Sequence, residues 1–140
     1  MENKTLERRI DELAELLEMQ DFIDRRAKGF SQGQKTKVAL ARALVHSPKT
    51  VLLDEPSNGL DIMATRGLRK VILRLKEAGH CVLFSSHIMQ EVAALCDEIV
   101  IIAKGKIAAS GSPQNLLDST DKSSLEDAFV KVIGSEEGLV

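Results

Sequence analysis

A short apolar run, Thr50–Leu53, ends directly at two adjacent carboxylates, Asp54 and Glu55, and Pro56 follows them. An apolar run of this length is typical of a strand buried in a parallel sheet. Parallel strands need long crossover connections, which are usually helices. The run therefore predicts a sheet covered by helices, with the two carboxylates at the edge where such sheets bind ligands.

Apolar runs and helical stripes alternate along the rest of the chain. Two further runs, Cys81–Phe84 and Ile99–Ile102, predict strands, and Lys104-Gly105 predicts a hairpin turn into a fourth strand, Lys106–Ser110. Strands that alternate with helices predict an α/β layered fold with a mostly parallel core and a C-terminal β-hairpin. Apolar residues make up 44% of the 140 residues, which is ordinary for one globular domain.

Six helices are expected from apolar spacing and from capping residues. One apolar stripe predicts a helix over Thr5–Met19, and Ser31 is a typical N-cap for a helix that Pro48 ends. The other helices are expected after Asp61, from Ile88 to Leu95, after Pro113, and along the stripe Leu125, Phe129, Val132 and Ile133. We expect a helical part over residues 1–47, a core over 48–113 and a helical tail over 114–140.

Composition excludes several classes of protein. Lys and Arg number 19 against 21 Asp and Glu, a net charge of −2 that gives no electrostatic case for nucleic acid. No window approaches the roughly 18 apolar residues of a membrane span, and the N-terminus has no apolar stretch of signal-peptide type. A cytoplasmic protein is therefore expected. Cys81 and Cys96 fit no metal motif and are expected to be reduced core thiols.

Three segments carry residue types suited to phosphate chemistry. Adjacent carboxylates on an extended chain point to different sides, so Asp54 can face Mg²⁺ while Glu55 faces an attacking water. Ser31–Gln34 opens a helix, whose N-terminal N–H groups favour phosphate. His87 follows a strand and can donate to a phosphate oxygen. Each segment alone also fits a structural role: an acidic turn, an ordinary capped helix and a solvated histidine.

The order and spacing of these segments resemble the nucleotide-binding domain of ABC transporters, from about Asp11 to Gly134. Within that resemblance, Phe30–Gln34 is similar to the signature motif, Thr50–Glu55 to Walker B and Ser57–Asp61 to the D-loop. His87 is similar to the switch histidine. The resemblance implies an ABC-type P-loop NTPase fold that includes part of the helical signature subdomain, and a head-to-tail dimer with ATP and Mg²⁺ between two subunits.

The resemblance also implies a role for each matching residue. Asp54 would bind Mg²⁺ through water, Glu55 would orient or deprotonate the attacking water, and His87 would sense the γ-phosphate. The signature residues would contact ATP held by the opposite subunit, and Asp61 would link the two sites. The residues implied to contact nucleotide are Ser31, Gln32, Gly33, Gln34, Ser57 and Asp61.

The chain departs from the family pattern at single positions and over a whole segment. Phe30 and Gln32 stand where Leu and Gly are usual, and neither change removes a phosphate-contacting atom. The family's Walker A loop, Q-loop and adenine-stacking aromatic precede the signature, and only about thirty residues do so here. Gly29–Thr36 nearly spells a phosphate loop, but Gln34 replaces its second glycine and no strand precedes it. We therefore expect these 140 residues alone to bind ATP weakly and not to hydrolyse it.

The missing loop has a structural counterpart in the family's sheet. There, the Walker A strand separates the strand that corresponds to Cys81–Ser85 from the one that corresponds to Ile99–Ala103. Without it, we expect those two strands to pair directly, to pair with another chain, or to leave edges that promote aggregation.

Three functions remain open on the sequence. The first is an ATPase subunit of an exporter, because Ser124–Phe129 resembles the tail of ATPases of drug or sodium exporters; its pore would be a separate permease. The second is a non-catalytic module that lends its signature to another subunit. The third is the C-terminal lobe of a chromosome-maintenance ATPase, against which the short stripe of the first helix argues.

Overall fold

The computed structural model describes the backbone of residues 3–137 and the side chains of residues 4–134. The chain divides into two compact units, Met1–Ser86 and His87–Val140. The first unit contains a 3₁₀ turn, Ala27–Gly29, and the elements α1 (Asn3–Leu16), α2 (Gln32–Leu44), β1 (Thr50–Leu53), α3 (Ile62–Glu77) and β2 (Cys81–Phe84). The second contains α4 (Met89–Leu95), β3 (Ile99–Ala103), β4 (Lys106–Gly111), α5 (Pro113–Thr120) and α6 (Leu125–Glu137).

The first unit is built around a β–α–β crossover. Strands β1 and β2 pair in parallel, with Thr50 opposite Cys81 and Leu53 opposite Phe84, and α3 connects them. The apolar stripe of α3 is buried, as the sequence predicts, at Leu68, Val71, Ile72 and Leu75. The predicted α/β class with parallel strands is confirmed.

The two N-terminal helices are shorter than the sequence predicts. The helix α1 ends at Leu16, and Glu18 then adopts a left-handed backbone with φ 52°. The helix α2 ends at Leu44, and Ser47 has φ 53°. A left-handed residue stops the i→i−4 ladder, so both helices end before the predicted residues, Met19 and His46. Leu17 and Leu44 are fully buried with Leu75.

One face of the β1–β2 sheet is exposed, which corrects the expectation that both strands are buried. Val51 is 3% exposed, whereas the opposed pair Leu52 and Leu83 is 71% and 63% exposed. Side chains alternate between faces, so one covered face accounts for both values. Cys81 is also exposed and Cys96 is half-buried, so the prediction of core thiols is wrong.

The two strands that the resemblance places on either side of the Walker A strand do not pair with each other in the described part of the chain. Within residues 3–137, β2 pairs with β1 and β3 pairs with β4, which gives two sheets of two strands. Direct pairing, one of the three expected outcomes, is therefore not the arrangement of this structure.

The second unit contains the predicted hairpin and C-terminal helices. Lys104 and Gly105 have φ 49° and 74°, and positive φ at both central residues is what a two-residue hairpin turn with the right twist requires. Strand β4 leads to Ser112, whose side chain caps α5. The helix α6 packs against α4, α5 and the hairpin and buries Ala128.

Candidate functional site

The start of α2 is held by a reciprocal pair of hydrogen bonds. The backbone N–H of Gln34 donates to Ser31 Oγ at 3.2 Å, and the backbone N–H of Ser31 donates to Gln34 Oε1 at 2.9 Å. This capping box confirms Ser31 as the predicted N-cap. It uses Ser31 Oγ as an acceptor and does not require its O–H as a donor, so the hydroxyl proton remains suited to a phosphate oxygen. Gln32 is exposed beside it.

Phe30 precedes the cap and anchors the segment to the residues after α1. Its ring lies 5.1 Å from that of Phe22, edge to face with an interplanar angle of 80°. Phe22 is buried, and edge-to-face pairs are favoured by the ring quadrupoles. This contact gives a packing reason for Phe at a position where the family usually has Leu.

Gly33 lies where α2 meets the first turn of α3. A Cβ placed on Gly33 would lie 3.0 Å from the Cβ of Ala64, closer than side-chain carbons normally approach. The absence of a side chain at Gly33 therefore allows α2 and α3 to pack closely at this point. Asp61 caps the same turn of α3 by accepting from the N–H of Ala64 at 2.8 Å.

We expect Gly33→Ala to lower the free energy of unfolding by about 1 kcal/mol, because overpacking outweighs the gain in helix propensity. Gly67 is the matched control: it lies inside α3 with open space around its Cα, so Gly67→Ala should stabilise by up to about 1 kcal/mol. Chemical denaturation of both variants measures the difference. Ala64→Gly should relieve the effect of Gly33→Ala, and equal stabilisation by both alanines would contradict the contact.

A single hydroxyl joins the carboxyl ends of β1 and β2. Ser85 Oγ donates to Asp54 Oδ1 at 2.6 Å and accepts from the backbone N–H of Glu55 at 2.8 Å. The backbone N–H of Ser85 donates to the carbonyl oxygen of Leu53 at 2.9 Å. The predicted carboxylate pair is therefore tied to the neighbouring strand. Nothing in the sequence analysis singled out Ser85, since its role depends on the register of the two strands.

The backbone turns at the two carboxylates, so they do not lie on an extended strand. Strand β1 ends at Leu53, and Glu55 has a left-handed backbone with φ 43°. Such a backbone costs energy for any residue with a Cβ and is often found at functional sites. The prediction that the chain stays extended through Asp54 and Glu55 is wrong, because the backbone turns at Glu55.

The segment after the carboxylates is a compact loop between β1 and α3. Ser57 is 5% exposed, and the N–H of Leu60 donates to its carbonyl oxygen at 3.1 Å. A groove of about 460 Å³ adjoins this loop, and both the start of α2 and the start of α3 line it. Its lining includes Ser31, Gly33, Gln34, Leu60, Met63 and Ala64. The predicted signature and D-loop residues thus share one surface.

The histidines fall into different settings. His87 is exposed and begins the second unit. His80 lies in the first unit, where its Nδ1 is 2.6 Å from the carbonyl oxygen of Pro48. That contact joins the start of β2 to the segment before β1, which is a structural role.

Comparisons with known proteins give one consistent result. The family model described as ABC transporter matches residues 1–58. The ABC transporter ATP-binding protein NatA of Bacillus subtilis (strain 168) is 43% identical over 122 residues, which cover 87% of this chain and 50% of that protein. A solved structure described as the ATP binding subunit of an ABC transporter superposes with a TM-score of 0.78 at 27% identity. That superposition covers 94% of this chain and 56% of the other.

The chain belongs to the ABC transporter ATPase family. Other relatives are named for opposite directions of transport. The spermidine/putrescine import ATP-binding protein PotA of Pseudomonas fluorescens (strain Pf0-1) is 35% identical over 84% of this chain and 33% of its own length. The Nod factor export ATP-binding protein I of Rhizobium meliloti is 34% identical over 84% of this chain and 35% of its own length. This ABC chain therefore spans half or less of the length of these curated relatives.

Two features are absent from the residues that the structure describes. No helix within residues 3–137 combines the length and apolar character needed to cross a bilayer. The same residues contain no group of three or more His, Cys, Asp or Glu side chains that could hold a metal ion by themselves.

Proposed function

We propose that this ABC chain supplies the signature and Walker B parts of an ATP site that forms between two subunits. The observation that carries the proposal is the junction of Asp54, Glu55 and Ser85 at the carboxyl ends of two parallel strands. Ligands of α/β proteins bind outside that edge of the sheet. In the proposed site, a phosphate-binding loop outside these 140 residues holds the β- and γ-phosphates, and ATP hydrolysis drives transport.

Asp54 is the proposed metal-binding residue. Mg²⁺ usually keeps several waters and is bound through one or two carboxylates together with phosphate oxygens. A single carboxylate at a strand end fits that preference, and so does the lack of a denser acidic cluster among the described residues. When bound, Mg²⁺ would neutralise charge on the phosphates. Asp54 would hold the ion through water.

Glu55 and His87 are the proposed catalytic residues. Glu55 accepts a hydrogen bond from the attacking water and takes its proton as the water oxygen bonds to the γ-phosphorus. The bond from that phosphorus to the oxygen that bridges the β- and γ-phosphates breaks, and ADP and inorganic phosphate are the products. The backbone of Glu55 is left-handed, with φ 43°, and in the proposed site this turn directs the carboxylate to the water. His87 donates a hydrogen bond to a γ-phosphate oxygen. Ser57 and Asp61 contact the nucleotide region from the D-loop, and Asp61 also links the two sites.

The start of α2 is the proposed contact for the nucleotide of the other subunit. Its N-terminal N–H groups and the Ser31 hydroxyl favour a phosphate. Gln32, Gly33 and Gln34 complete this surface. The capping box keeps the N-terminal turn in place before any ligand arrives.

The proposed partners are a second ABC ATPase subunit and a separate membrane permease. The pair of ATPases would lie at the inner face of the membrane, bound to the permease. Export is the proposed direction, because Ser124–Phe129 resembles the tail of exporter ATPases. Relatives named for import and for export are both similar to the chain, so vesicle assays with the reconstituted permease must decide the direction.

Phosphate release by the complete subunit tests the central proposal. We expect ATP hydrolysis that requires Mg²⁺, and a raised Mg²⁺ requirement in Asp54→Asn. A folded dimer that contains this chain and has no hydrolysis would favour a non-catalytic module instead.

A further inference from the structure

We propose that Ser85 is a positioning residue that sets the geometry of both carboxylates in the site. This inference rests on the proposed ATPase function and adds a role for Ser85 in positioning the two groups that act on Mg²⁺ and water. The decisive observation is that one hydroxyl serves both members of the pair: it donates to Asp54 and accepts from the backbone of Glu55.

The direction of each hydrogen bond follows from the groups involved. The backbone N–H of Glu55 can only donate, so Ser85 Oγ is its acceptor. A serine hydroxyl has one proton, and with Glu55 donating to its oxygen, that proton points to Asp54 Oδ1 at 2.6 Å. A distance this short is typical of a hydroxyl that donates to a charged carboxylate. Ser85 therefore orients the Asp54 carboxylate.

The same hydroxyl supports the backbone at Glu55. That residue adopts φ 43°, a conformation that a residue with a Cβ keeps only when its surroundings stabilise it. The hydrogen bond from its N–H to Ser85 Oγ at 2.8 Å is one such stabilising contact. Loss of the hydroxyl would release the turn that directs the Glu55 carboxylate, and with it the position of the water that Glu55 is proposed to bind.

Ser85 reaches both residues because of the strand register. Leu53 lies opposite Phe84 in the parallel pair, so the next residues, Asp54 and Ser85, lie side by side beyond the last rung. The bond from the N–H of Ser85 to the carbonyl oxygen of Leu53 extends the ladder to this point. The hydroxyl is thus carried by the same rigid parallel pair as the carboxylates.

The test compares Ser85→Ala and Ser85→Thr in the complete subunit. Threonine keeps a hydroxyl and is compatible with an extended strand end, so it is the conservative variant. We expect Ser85→Ala to lower kcat and to raise the half-saturating Mg²⁺ concentration by about 10-fold each, the loss expected for a hydrogen bond to a charged group. Ser85→Thr should keep both kcat and the half-saturating Mg²⁺ concentration close to those of the wild type. ATP affinity measured without turnover should change much less.

A structural role alone would give a different pattern. In that case Ser85→Ala would lower the melting temperature and leave the Mg²⁺ dependence as in the wild type, which would overturn the assignment. Ser119→Ala is the matched control, because Ser119 Oγ also makes a hydrogen bond, to the carbonyl oxygen of Leu116 in α5. It should leave kcat and the Mg²⁺ dependence unchanged. Ser85→Cys keeps a side chain of similar shape but has only a weak hydrogen-bond donor. It should show the same kcat and Mg²⁺ dependence as Ser85→Ala, and it replaces that variant in the test if the alanine variant does not fold.

A double-mutant cycle shows whether Ser85 acts through Asp54. In the Asp54→Asn background, Ser85→Ala should raise the half-saturating Mg²⁺ concentration no further, since residues in one network are not additive. Additive effects would overturn the proposed path. If the wild-type subunit does not hydrolyse ATP, the proposed function fails and the Ser85 assignment with it. If the wild type is active and Ser85→Ala matches it, only the Ser85 assignment fails.

Discussion

We expect Glu55→Gln to leave ATP binding by the complete subunit intact while it lowers turnover by about 10²–10⁴-fold, the usual contribution of a positioned general base. Glutamine has nearly the size of glutamate and can still accept a hydrogen bond from water. It cannot accept the proton that the water loses. The variant should therefore trap a dimer with ATP bound, because the closed state forms but the chemical step is slow.

The backbone at Glu55 makes the amide the right substitution. A left-handed conformation disfavours β-branched residues most, so a threonine or valine would change the turn as well as the chemistry. Glutamine matches glutamate at the Cβ and keeps the N–H that donates to Ser85. Single-turnover phosphate release separates the chemical step from binding.

Glu77→Gln is the matched control for this experiment. Glu77 is an exposed glutamate at the last residue of α3 in the same unit, and its loss of charge should not affect turnover. A Glu55→Gln subunit with the wild-type rate would show that the base is another group.

The second large effect concerns which subunit contributes each part of a site. We compare two mixed dimers that carry Ser31→Ala and Glu55→Gln. In one, both substitutions lie on the same subunit, and in the other, each subunit carries one of them. We expect the two dimers to hydrolyse ATP at different rates. If Ser31 serves the nucleotide of the opposite subunit, both substitutions on one subunit damage both sites. Divided between subunits, they fall in the same site and leave the other intact.

The divided arrangement should therefore retain roughly half of the wild-type activity, and the combined arrangement little of it, since the two subunits of a symmetric dimer contribute equivalent sites. Each mixed dimer carries the same two substitutions, so differences in folding cancel. Differential tags and tandem purification isolate the mixed species, and phosphate release measures both. The reverse order, with activity kept when both substitutions lie on one subunit and lost when they are divided, would show that Ser31 acts on the nucleotide of its own subunit.

Loss of the helix cap must be separated from loss of the phosphate contact. Ser31→Ala is expected to destabilise the α2 start by about 1 kcal/mol. Aspartate caps helices about as well as serine, yet its negative charge repels phosphate. Ser31→Asp should therefore keep the stability of wild type and still lose turnover. Recovery of turnover with aspartate would assign the effect of alanine to the helix.

Local features of the fold could be predicted from the sequence because they depend on neighbouring residues. The cap at Ser31 and the turn at Lys104-Gly105 follow from side-chain and backbone chemistry within a few positions. Parallel strands alternating with helices followed from apolar runs separated by helical stripes. Each is present in the structure.

The errors concern features that depend on tertiary arrangement. Apolar composition predicted that Leu52, Leu83 and Cys81 are buried, but composition does not show how many layers cover a sheet, and all three are exposed. The bond from Ser85 to Asp54 depends on the register of two strands separated by α3. The left-handed turn at Glu55 could not be predicted either, because glycine is the usual sequence signal for positive φ and this position is a glutamate.

The reciprocal bonds between Ser31 and Gln34 have a consequence for the kinetics of recognition. A flexible loop must lose conformational freedom when it captures a ligand, and that loss weakens affinity and slows the productive encounter. Here the turn is already immobilised by its own side chains when the chain folds. An arriving anion meets a surface with fixed dipoles and no disorder-to-order step. Recognition at this helix start should therefore be limited by how often the partner surfaces meet, and not by rearrangement of the motif.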